Sequence, residues 1–439
     1  MVKKIKELGI WLNAEFVGVW GRNKGEETFS YHESWLKNTH SRVLSLSLPF
    51  TPGNQRFSGD AVKFYFDNLL PDSRNIRDRI AQKFLASSVL PFDLLFEVGR
   101  DCVGAIQVLP MGESPKSIKS IRYQQLDDAQ VAEILKNTVS SNALGMATES
   151  DDLRLSLAGA QEKTALLWHN NKWCRPLGAT PTTHIFKLPL GVVGNMQLDM
   201  RLSVENEWLC SKIMSAFGIE VADCDMASFQ DIKVLIVKRF DRQLSPDGDW
   251  IIRLPQEDFC QAKGISPLLK YQVDGGLGLS DCLRVLDGSE NAQADKITLF
   301  KAQIVFYLLC ATDGHAKNFS LFHTANNTYK LTPLYDILSA FPVIGTKQNQ
   351  ISFHKVKLAM SVDSNNRHYC IKNMQKRHFI NHATKVGFSK NEAIAMVDEI
   401  IQKTENVIKH VKTLLPKDFP SSVSHSIFNG MMRQSQKFK

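Results

Sequence analysis

The chain has 439 residues, of which 43% are hydrophobic and 22% are charged, and this globular balance excludes a fibrous or disordered protein. Its eight cysteines include no CxxC pair, which disfavours a zinc ribbon or a disulfide framework and predicts reduced cysteines in a cytoplasmic protein. Glu7 and Asn13 interrupt the apolar stretch near the start, and every apolar run is shorter than a membrane helix needs. We therefore expect no export signal and no membrane partner.

The net charge of +8 is unevenly distributed along the chain. Residues 346–439 contain 16 Lys and Arg against 6 Asp and Glu, a local balance of +10, whereas the remainder is slightly acidic. A basic surface confined to one region suits binding to a phosphate backbone. A solvated basic helix surface is the alternative that charge alone leaves open.

Residues 1–110 are predicted to form a small α/β unit, because short β-like runs bounded by turn residues flank a helical stretch. The predicted elements are strands at 11–20, 42–48 and 103–109 and a helix at 60–70. Residues 111–122 are polar and predict a linker or surface loop, and a short helix is expected at 127–136.

The rest of the chain changes from strand-rich to helical. In residues 111–255 the β-branched and aromatic runs predict strands at 155–157, 165–169, 183–188 and 234–240, with one helix at 204–217. In residues 256–439 helical periodicity covers 280–286, 296–311, 391–412 and 421–434. This order predicts a two-lobed α+β body, and a cleft between two such lobes is a common ligand site.

The string ATDGHAKNFS, which directly follows the predicted helix 296–311, carries the first chemical signal. It places Asp313 five residues before Asn318, the spacing of the protein-kinase catalytic loop. In such a loop the aspartate accepts the proton of the attacking hydroxyl and the asparagine binds magnesium. The spacing alone is weak, since an Asx-turn after a helix end gives the same pair.

A second acid strengthens this interpretation. Asp336 lies eighteen residues beyond Asn318, and the intervening segment 319–331 is predicted to be a hairpin. The hairpin would return Asp336 to the loop of Asp313, where a kinase needs a carboxylate to hold magnesium on the phosphates. The alternative for Asp336 is a turn residue after Pro333.

The first half is expected to supply a phosphate-binding loop and a lysine. The string LAGAQEK, residues 157–163, joins two predicted strands, and its small residues would let backbone N–H groups approach phosphate oxygens. Lys187 lies in a mostly apolar strand and Glu207 on the next helix, which is the lysine–glutamate pair that orients phosphates in kinases. Glu205 is a competing partner, and an edge-strand lysine is the alternative for Lys187.

Taken together, these segments resemble the HipA family, the kinase toxins of bacterial toxin–antitoxin pairs. The matching strings occur in the family's order and cover nearly the whole chain: PFDLLFEVGRDCVGA, RLSLAGAQEKTAL, THIFKLP, KRFDR, IRLPQEDFCQ, ATDGHAKNFS and LTPLYDILSAFP. The combination of AGAQEK with ATDGHAKNF is highly specific.

The resemblance implies a protein-kinase-like fold with an N-terminal α/β subdomain (1–110), the nucleotide-binding part of the N-lobe (111–255) and an all-α C-lobe (256–439). It implies ATP and Mg²⁺ as cofactors, Asp313 as the catalytic residue, and Asn318 and Asp336 as metal ligands. The implied ATP-binding residues are Ala158, Gly159, Ala160, Gln161, Glu162, Lys163, Lys187, Lys238, Arg239, Phe240, Gln256, His315, Lys317 and Tyr335. Relatives often have an acidic residue in place of Lys238, so adenine binding there would use backbone atoms.

The resemblance also implies a serine/threonine kinase that phosphorylates a translation component, glutamyl-tRNA synthetase for the family, and so causes growth arrest and persistence. Ser156 is the implied autophosphorylation site, where a phosphate would repel ATP. The implied partners are a small helix-turn-helix antitoxin, similar to HipB, with which the chain co-represses its operon, and operator DNA. Candidate DNA contacts are Lys372, Lys376, Arg377 and Lys385.

Two other functions remain open from the sequence. One is a DNA-binding co-repressor whose kinase is dispensable, against which the intact Asp313, Asn318, Asp336 and Lys187 argue. The other is a kinase-like protein that transfers AMP. The mass of modified Ser156 distinguishes the second, because a phosphate and an adenylate add different masses.

Overall fold

The structure is a computed structural model that describes residues 6–139 and 154–439. The first five residues, which entered the export-signal prediction, lie outside the described part. Residues 140–153, which end just before the predicted strand at 155–157, also lie outside the described part.

The first segment, up to Pro110, is built on a five-stranded antiparallel sheet in the order β4-β3-β2-β1-β5. Helices cover one face of the sheet, and Trp20 stacks on Phe66 with 3.8 Å between ring centroids in the buried core. The strands are β1 (Glu7–Leu12), β2 (Glu15–Asn23), β3 (Glu26–Tyr31), β4 (Phe57–Ser58) and β5 (Ile106–Pro110), and the helices are α1 (Glu33–Leu36), α2 (Asp60–Asp67), α3 (Arg74–Lys83) and α4 (Pro91–Val98).

Two strand predictions in this segment are wrong. The predicted strand 11–20 is a hairpin, because Asn13 and Ala14 both adopt left-handed backbone angles (φ 47° and 69°) and reverse the chain. Residues 42–48 form no strand. Side chains take the place of a sheet partner there, since the N–H of Leu44 donates to the Tyr31 hydroxyl and that of Leu46 to Glu257.

The second segment contains a six-stranded sheet in the order β12-β13-β9-β7-β8-β6. Helix α5 packs on one face and α6 on the other, so the sheet is buried on both sides. The strands are β6 (Tyr123–Gln125), β7 (Lys163–His169), β8 (Lys172–Pro176), β9 (His184–Lys187), β10 (Gly191–Val193), β11 (Leu198–Met200), β12 (Cys224–Phe229), β13 (Ile232–Lys238), β14 (Arg242–Leu244) and β15 (Ile251–Arg253), and the helices are α5 (Asp128–Val139) and α6 (Ser203–Ala216). The predicted strand 155–157 is absent; Leu155 makes only an isolated bridge to Asp101.

The third segment is mainly helical, and residues 299–309 of its central helix α9 are almost fully buried. Its helices are α7 (Phe259–Ala262), α8 (Leu279–Val285), α9 (Ala292–Leu309), α10 (Lys376–Lys385), α11 (Lys390–Leu414) and α12 (Ser421–Gln436). The predicted hairpin is present as β17 (Ser320–His323) and β18 (Tyr329–Leu331), joined by β16 (Gln256–Asp258). A second hairpin, β19 (Lys357–Asp363) with β20 (Arg367–Cys370), was not predicted, so this lobe is helical with added strands rather than all-α.

A buried charge cluster joins the first two segments. Asp101 lies between the guanidinium groups of Arg239, Arg242 and Arg253, with N–O distances of 3.5, 3.0 and 3.3 Å. Burial would raise the pKa of Asp101, but the three arginines outweigh it and hold the pKa well below its usual range. The segments are therefore fixed to each other through an ionised carboxylate. Within the described ranges, no helix combines the length and apolarity that crossing a bilayer requires.

Candidate active site

The loop after α9 carries Asp313 and Asn318. The helix ends at Cys310, whose left-handed backbone (φ 54°) turns the chain. Gly314 then packs against the ring of Phe306, where an added Cβ would lie 2.3 Å from a ring carbon, so a larger residue would push the loop off the helix. The Asn318 side-chain amide donates to the Asp313 carbonyl over 2.7 Å, and this bond holds the two residues close together in space.

Asp336 reaches the same place from the hairpin. After β18 the chain is tied to the first lobe, because the N–H of Leu334 donates to the Glu220 carbonyl and Leu334 in turn accepts from the N–H of Ala222. Asp336 itself has a left-handed backbone (φ 61°), an uncommon conformation for a residue other than glycine. Such conformations cluster at functional sites, where the surrounding structure holds them in place.

Lys187 connects the two lobes at this point. Its ammonium group contacts Glu207 at 2.5 Å and Asp336 at 2.8 Å. Burial would lower the pKa of Lys187, but these carboxylates outweigh it and raise the pKa above its usual range. The competing glutamate, Glu205, instead pairs with Lys233 at 2.7 Å. The structure thus brings Lys187 to the predicted partner and to the predicted metal ligand at once.

The segment 157–163 forms a turn at the cleft. Gly159 has φ 106°, which favours glycine, and its carbonyl accepts from the N–H of Asp72 over 3.0 Å. Lys163 lies opposite Lys187 in the sheet register, so both lysines lie beside the cleft. Burial lowers the pKa of Lys163 to about 8, although Asp336 acts to raise it.

The predicted members of this loop do not all face the cleft. Ala158, Gly159, Ala160, Gln161 and Lys163 line it. The Glu162 side chain does not, because its carboxylate pairs with Arg79. Glu162 stays a predicted member of the phosphate loop, whose contacts to ATP would come from backbone N–H groups.

The predicted hinge lines the cleft through its backbone more than its side chains. Lys238 is exposed to solvent, and the Arg239 side chain turns away to donate to Asp241, Thr182 and the Cys102 carbonyl. The ring of Phe240 packs against that of Tyr335 at 5.7 Å. Arg239 therefore stays a predicted hinge residue, and its side chain ties the hinge to the first segment through the Cys102 carbonyl.

Among the described residues that line the cleft, three buried polar atoms lack a hydrogen-bond partner. Gln256 Oε1 and His315 Nδ1 belong to residues predicted to bind ATP, and the third atom is Asn68 Oδ1. The cleft encloses about 1260 Å³ of empty space, part of it open to solvent. Unsatisfied buried polar atoms are costly, so a polar ligand that pairs with them fits this site. With the neighbouring lysine ammonium groups, the lining suits a nucleotide polyphosphate.

The donor set for magnesium is an amide and a carboxylate. Burial would raise the pKa of Asp336, but Lys187 and Lys163 outweigh it and hold the pKa far below its usual range, so the carboxylate is ionised. Among the described residues, no three His, Cys, Asp or Glu side chains converge into a metal cage. Magnesium in kinases needs no such cage, because phosphate oxygens and water complete its shell. Asn318 and Asp336 therefore fit Mg²⁺ held jointly with a nucleotide.

Sequence reasoning missed a residue of the first segment that reaches the catalytic loop. Asp72 accepts from Lys317 at 2.6 Å and from Lys270 at 2.9 Å. Lys317 was predicted to bind ATP, and the structure shows it buried in this ion pair beside the cleft. No sequence pattern indicated Asp72, because it follows a proline in an ordinary turn far from the other groups.

Ser156 is buried immediately before the phosphate loop. Its hydroxyl donates to the Leu69 carbonyl over 2.7 Å, and its N–H donates to the Asp101 carbonyl over 3.0 Å. Both acceptors belong to the first segment. These two bonds hold the residue before the phosphate loop inside the fold.

The four candidate DNA contacts lie in or next to α10. Lys376 pairs with Asp398, Lys385 donates to the Ser364 carbonyl, and Lys372 contacts His354 at 2.7 Å. Arg377, Lys372 and Lys385 are exposed. Three of the four candidates thus remain accessible to solvent, whereas Lys376 is partly neutralised by its partner.

A two-lobed protein with a lysine–glutamate pair, an aspartate–asparagine loop and a second aspartate around one cleft belongs to the class of kinase-like phosphotransferases. A family model described as the HipA-like C-terminal domain matches residues 155–408, and one described as the HipA N-terminal domain matches residues 8–109. The chain belongs to the HipA family of serine/threonine kinase toxins.

Individual relatives agree with this assignment. The chain is 33% identical to the putative kinase Y4mE of Sinorhizobium fredii over 362 residues, 81% of this chain and 83% of that protein. It is 25% identical to the serine/threonine-protein kinase toxin HipA of Shewanella oneidensis over 414 residues, 91% of this chain and 88% of that protein. The solved complex of the Shewanella HipA with HipB and operator DNA superposes with a TM-score of 0.79 at 21% identity, covering 98% of this chain and 97% of that one. These matches confirm the predicted family, the two-lobed fold and the kinase class.

Proposed function

We propose that this protein transfers the γ-phosphoryl group of ATP to a serine hydroxyl of a protein acceptor. One observation carries the proposal: Lys187 contacts Glu207 and Asp336 together, in the cleft that Asp313 and Asn318 also line. A lysine held between a helix carboxylate and a metal-binding carboxylate is the arrangement that active kinases require.

Each side chain has a defined part in the transfer. Lys187 and Lys163 hold phosphate oxygens, and Asn318 and Asp336 would hold Mg²⁺, which neutralises charge on the phosphates when bound. Asp313, with its side chain 49% exposed at the mouth of the cleft, accepts the proton of the attacking hydroxyl. Gln256 and His315 offer their unpaired atoms to the nucleotide.

The acceptor is a component of translation, and family membership supports glutamyl-tRNA synthetase. Its phosphorylation would stop growth and so produce persistence. The same membership supports a cytoplasmic location, where this acceptor is found.

Ser156 is the second acceptor, and its phosphorylation switches the kinase off. The serine lies against Leu69 inside the fold, so a phosphate carrying about two negative charges cannot return there. The loop 157–163 would then remain outside the cleft and ATP would lose its phosphate contacts.

The protein acts with a small helix-turn-helix antitoxin of the HipB kind, and together they repress their own operon. Support comes from the Shewanella HipA, whose solved complex contains HipB and operator DNA. The +10 balance of residues 346–439 also supports DNA contact, through Lys372, Lys376, Arg377 and Lys385.

Radiolabelled ATP with Mg²⁺ and purified glutamyl-tRNA synthetase tests the proposal. Wild type should label the acceptor, Asp313→Ala should not, and Asp287→Ala should behave as wild type because Asp287 pairs with Lys296 on the surface. Label transferred by Asp313→Ala would overturn the assignment of the base. Intact mass of the products separates phosphate from adenylate transfer.

A further inference from the structure

Tyr271 touches the proposed base although it lies outside every predicted motif. Its hydroxyl donates a hydrogen bond to Asp313 Oδ1. The carboxyl group of an aspartate rotates over a broad range, and this one is half exposed. The bond from Tyr271 therefore decides which carboxylate oxygen faces the open cleft.

Tyr271 is itself held rigidly by its two chain neighbours. On one side, Lys270 pairs with Asp72 of the first segment at 2.9 Å. On the other, the buried Gln272 side chain accepts from the N–H and the hydroxyl of Ser361, at 2.7 and 2.9 Å. The two neighbouring side chains thus clamp this segment between the first segment and β19, and they present the tyrosine hydroxyl to Asp313 from a fixed position.

The other neighbour of the carboxylate does not replace this contact. His315 Nε2 lies 3.7 Å from the same Asp313 oxygen, beyond hydrogen-bond distance, and its ring packs edge-on against Tyr271 with 5.0 Å between centroids. Burial lowers the pKa of His315, so the imidazole is neutral. Burial and then the Asp313 charge raise the pKa of Tyr271, so its hydroxyl remains a donor.

We propose that Tyr271 is a positioning residue: its hydroxyl holds Asp313 Oδ1 and leaves Oδ2 for the proton of the acceptor hydroxyl. This inference rests on the proposed function of Asp313. The role concerns the acceptor and not ATP, because Tyr271 is not among the residues that line the nucleotide cleft. Loss of the hydroxyl should therefore slow transfer without weakening ATP binding.

The test compares Tyr271→Phe with a matched variant, Tyr329→Phe. The Tyr329 hydroxyl donates to the Val285 carbonyl, and neither residue lines the cleft. Tyr271→Phe should lower kcat for acceptor phosphorylation by about 10-fold to 100-fold, the scale of a misplaced reacting group. Calorimetry should give both variants the same dissociation constant for ATP. Their thermal unfolding midpoints should also be the same.

Two results would overturn the inference: an unchanged kcat, or a fall in kcat matched by an equal loss of ATP affinity, which indicates a merely structural role. Asp313→Ala measured alongside separates the two proposals. An active Asp313→Ala refutes the proposed function, whereas an inactive Asp313→Ala with a fully active Tyr271→Phe refutes only the role of Tyr271.

Discussion

Lys317 on the catalytic loop and Asp72 in the first segment form a buried ion pair, with 2.6 Å between Nζ and Oδ1. The pair crosses from one family domain to the other, since the two family models end at residue 109 and begin at residue 155. The N-terminal domain therefore completes the surroundings of the phosphotransfer site instead of only lying beside it.

Replacing Asp72 by Asn should destabilise the protein by about 3 kcal/mol, because it leaves the buried Lys317 without its carboxylate. The matched variant Asp78→Asn removes an exposed pair with Arg74 and should cost less than about 1 kcal/mol. Urea unfolding at pH 7 measures both values. Equal losses in the two variants would contradict the structural role of Asp72.

The same ion pair predicts an acid dependence. Burial would raise the pKa of Asp72, but Lys317 and Lys270 outweigh it and lower the pKa to about 2. A folded-state pKa below the unfolded one stabilises the protein above the unfolded value of about 3.9, and this contribution disappears as the pH falls toward 2. Wild type should lose stability relative to Asp72→Asn across this window. Parallel pH curves would refute the assignment.

Lys187→Met should reduce phosphoryl transfer by at least about 100-fold, since it removes a preorganised charge from the phosphate site. Lys233→Met is the matched variant, because Lys233 also pairs with a glutamate of α6 but lies outside the cleft. It should keep wild-type turnover. Steady-state labelling of the acceptor distinguishes the two variants. Similar defects in both would contradict the assignment of Lys187 to the phosphate site.

Binding of ATP should weaken as the pH rises through about 8, the value to which burial lowers the pKa of Lys163. The ammonium form attracts phosphate and the neutral amine does not. In Lys163→Arg the guanidinium stays charged, so affinity should persist to higher pH. Calorimetric titrations between pH 7 and about 9.5 test this, and coincident profiles for the two proteins would exclude Lys163 as the titrating group.

Ser156→Asp should raise the dissociation constant of ATP at least about tenfold, because a charge cannot be buried against the Leu69 carbonyl. Ser156→Ala loses one hydrogen bond and should cost only about 1 kcal/mol of stability while keeping ATP affinity. Tight ATP binding by Ser156→Asp, or by protein phosphorylated at this site, would refute the proposed off-switch.

Arg377→Ala should reduce the salt dependence of operator binding by the antitoxin complex by about one unit of slope, as expected for one lost phosphate contact. Lys403→Ala is the control, since Lys403 pairs with Glu399 on α11. Fluorescence anisotropy over a series of salt concentrations gives both slopes. An unchanged slope for Arg377→Ala would exclude this residue from the DNA interface.

The sequence predicted the pairs of site residues that lie close together along the chain. Asp313 and Asn318 share one loop, and Lys187 and Glu207 occupy a strand and the next helix, so spacing and residue type predicted each pair. The hairpin before Asp336 was also predicted from its turn residues.

The contacts that were missed join distant parts of the chain. Asp72 and Lys317 are 245 positions apart, and the Tyr271 hydroxyl reaches Asp313 from a segment without periodicity. The direction of the Arg239 side chain depended on the buried Asp101 cluster, which only the folded chain assembles. Residues 42–48 failed as a strand because side chains, which pattern analysis does not see as partners, satisfy their backbone.

The burial of Ser156 has a consequence for populations of molecules. While the serine lies buried against Leu69, its hydroxyl is not exposed to any kinase. Under the proposed function, silencing therefore occurs only in those molecules whose loop is displaced. The rate of silencing is then limited by how often the loop leaves the cleft, so the strength of one buried contact sets how long each molecule stays active.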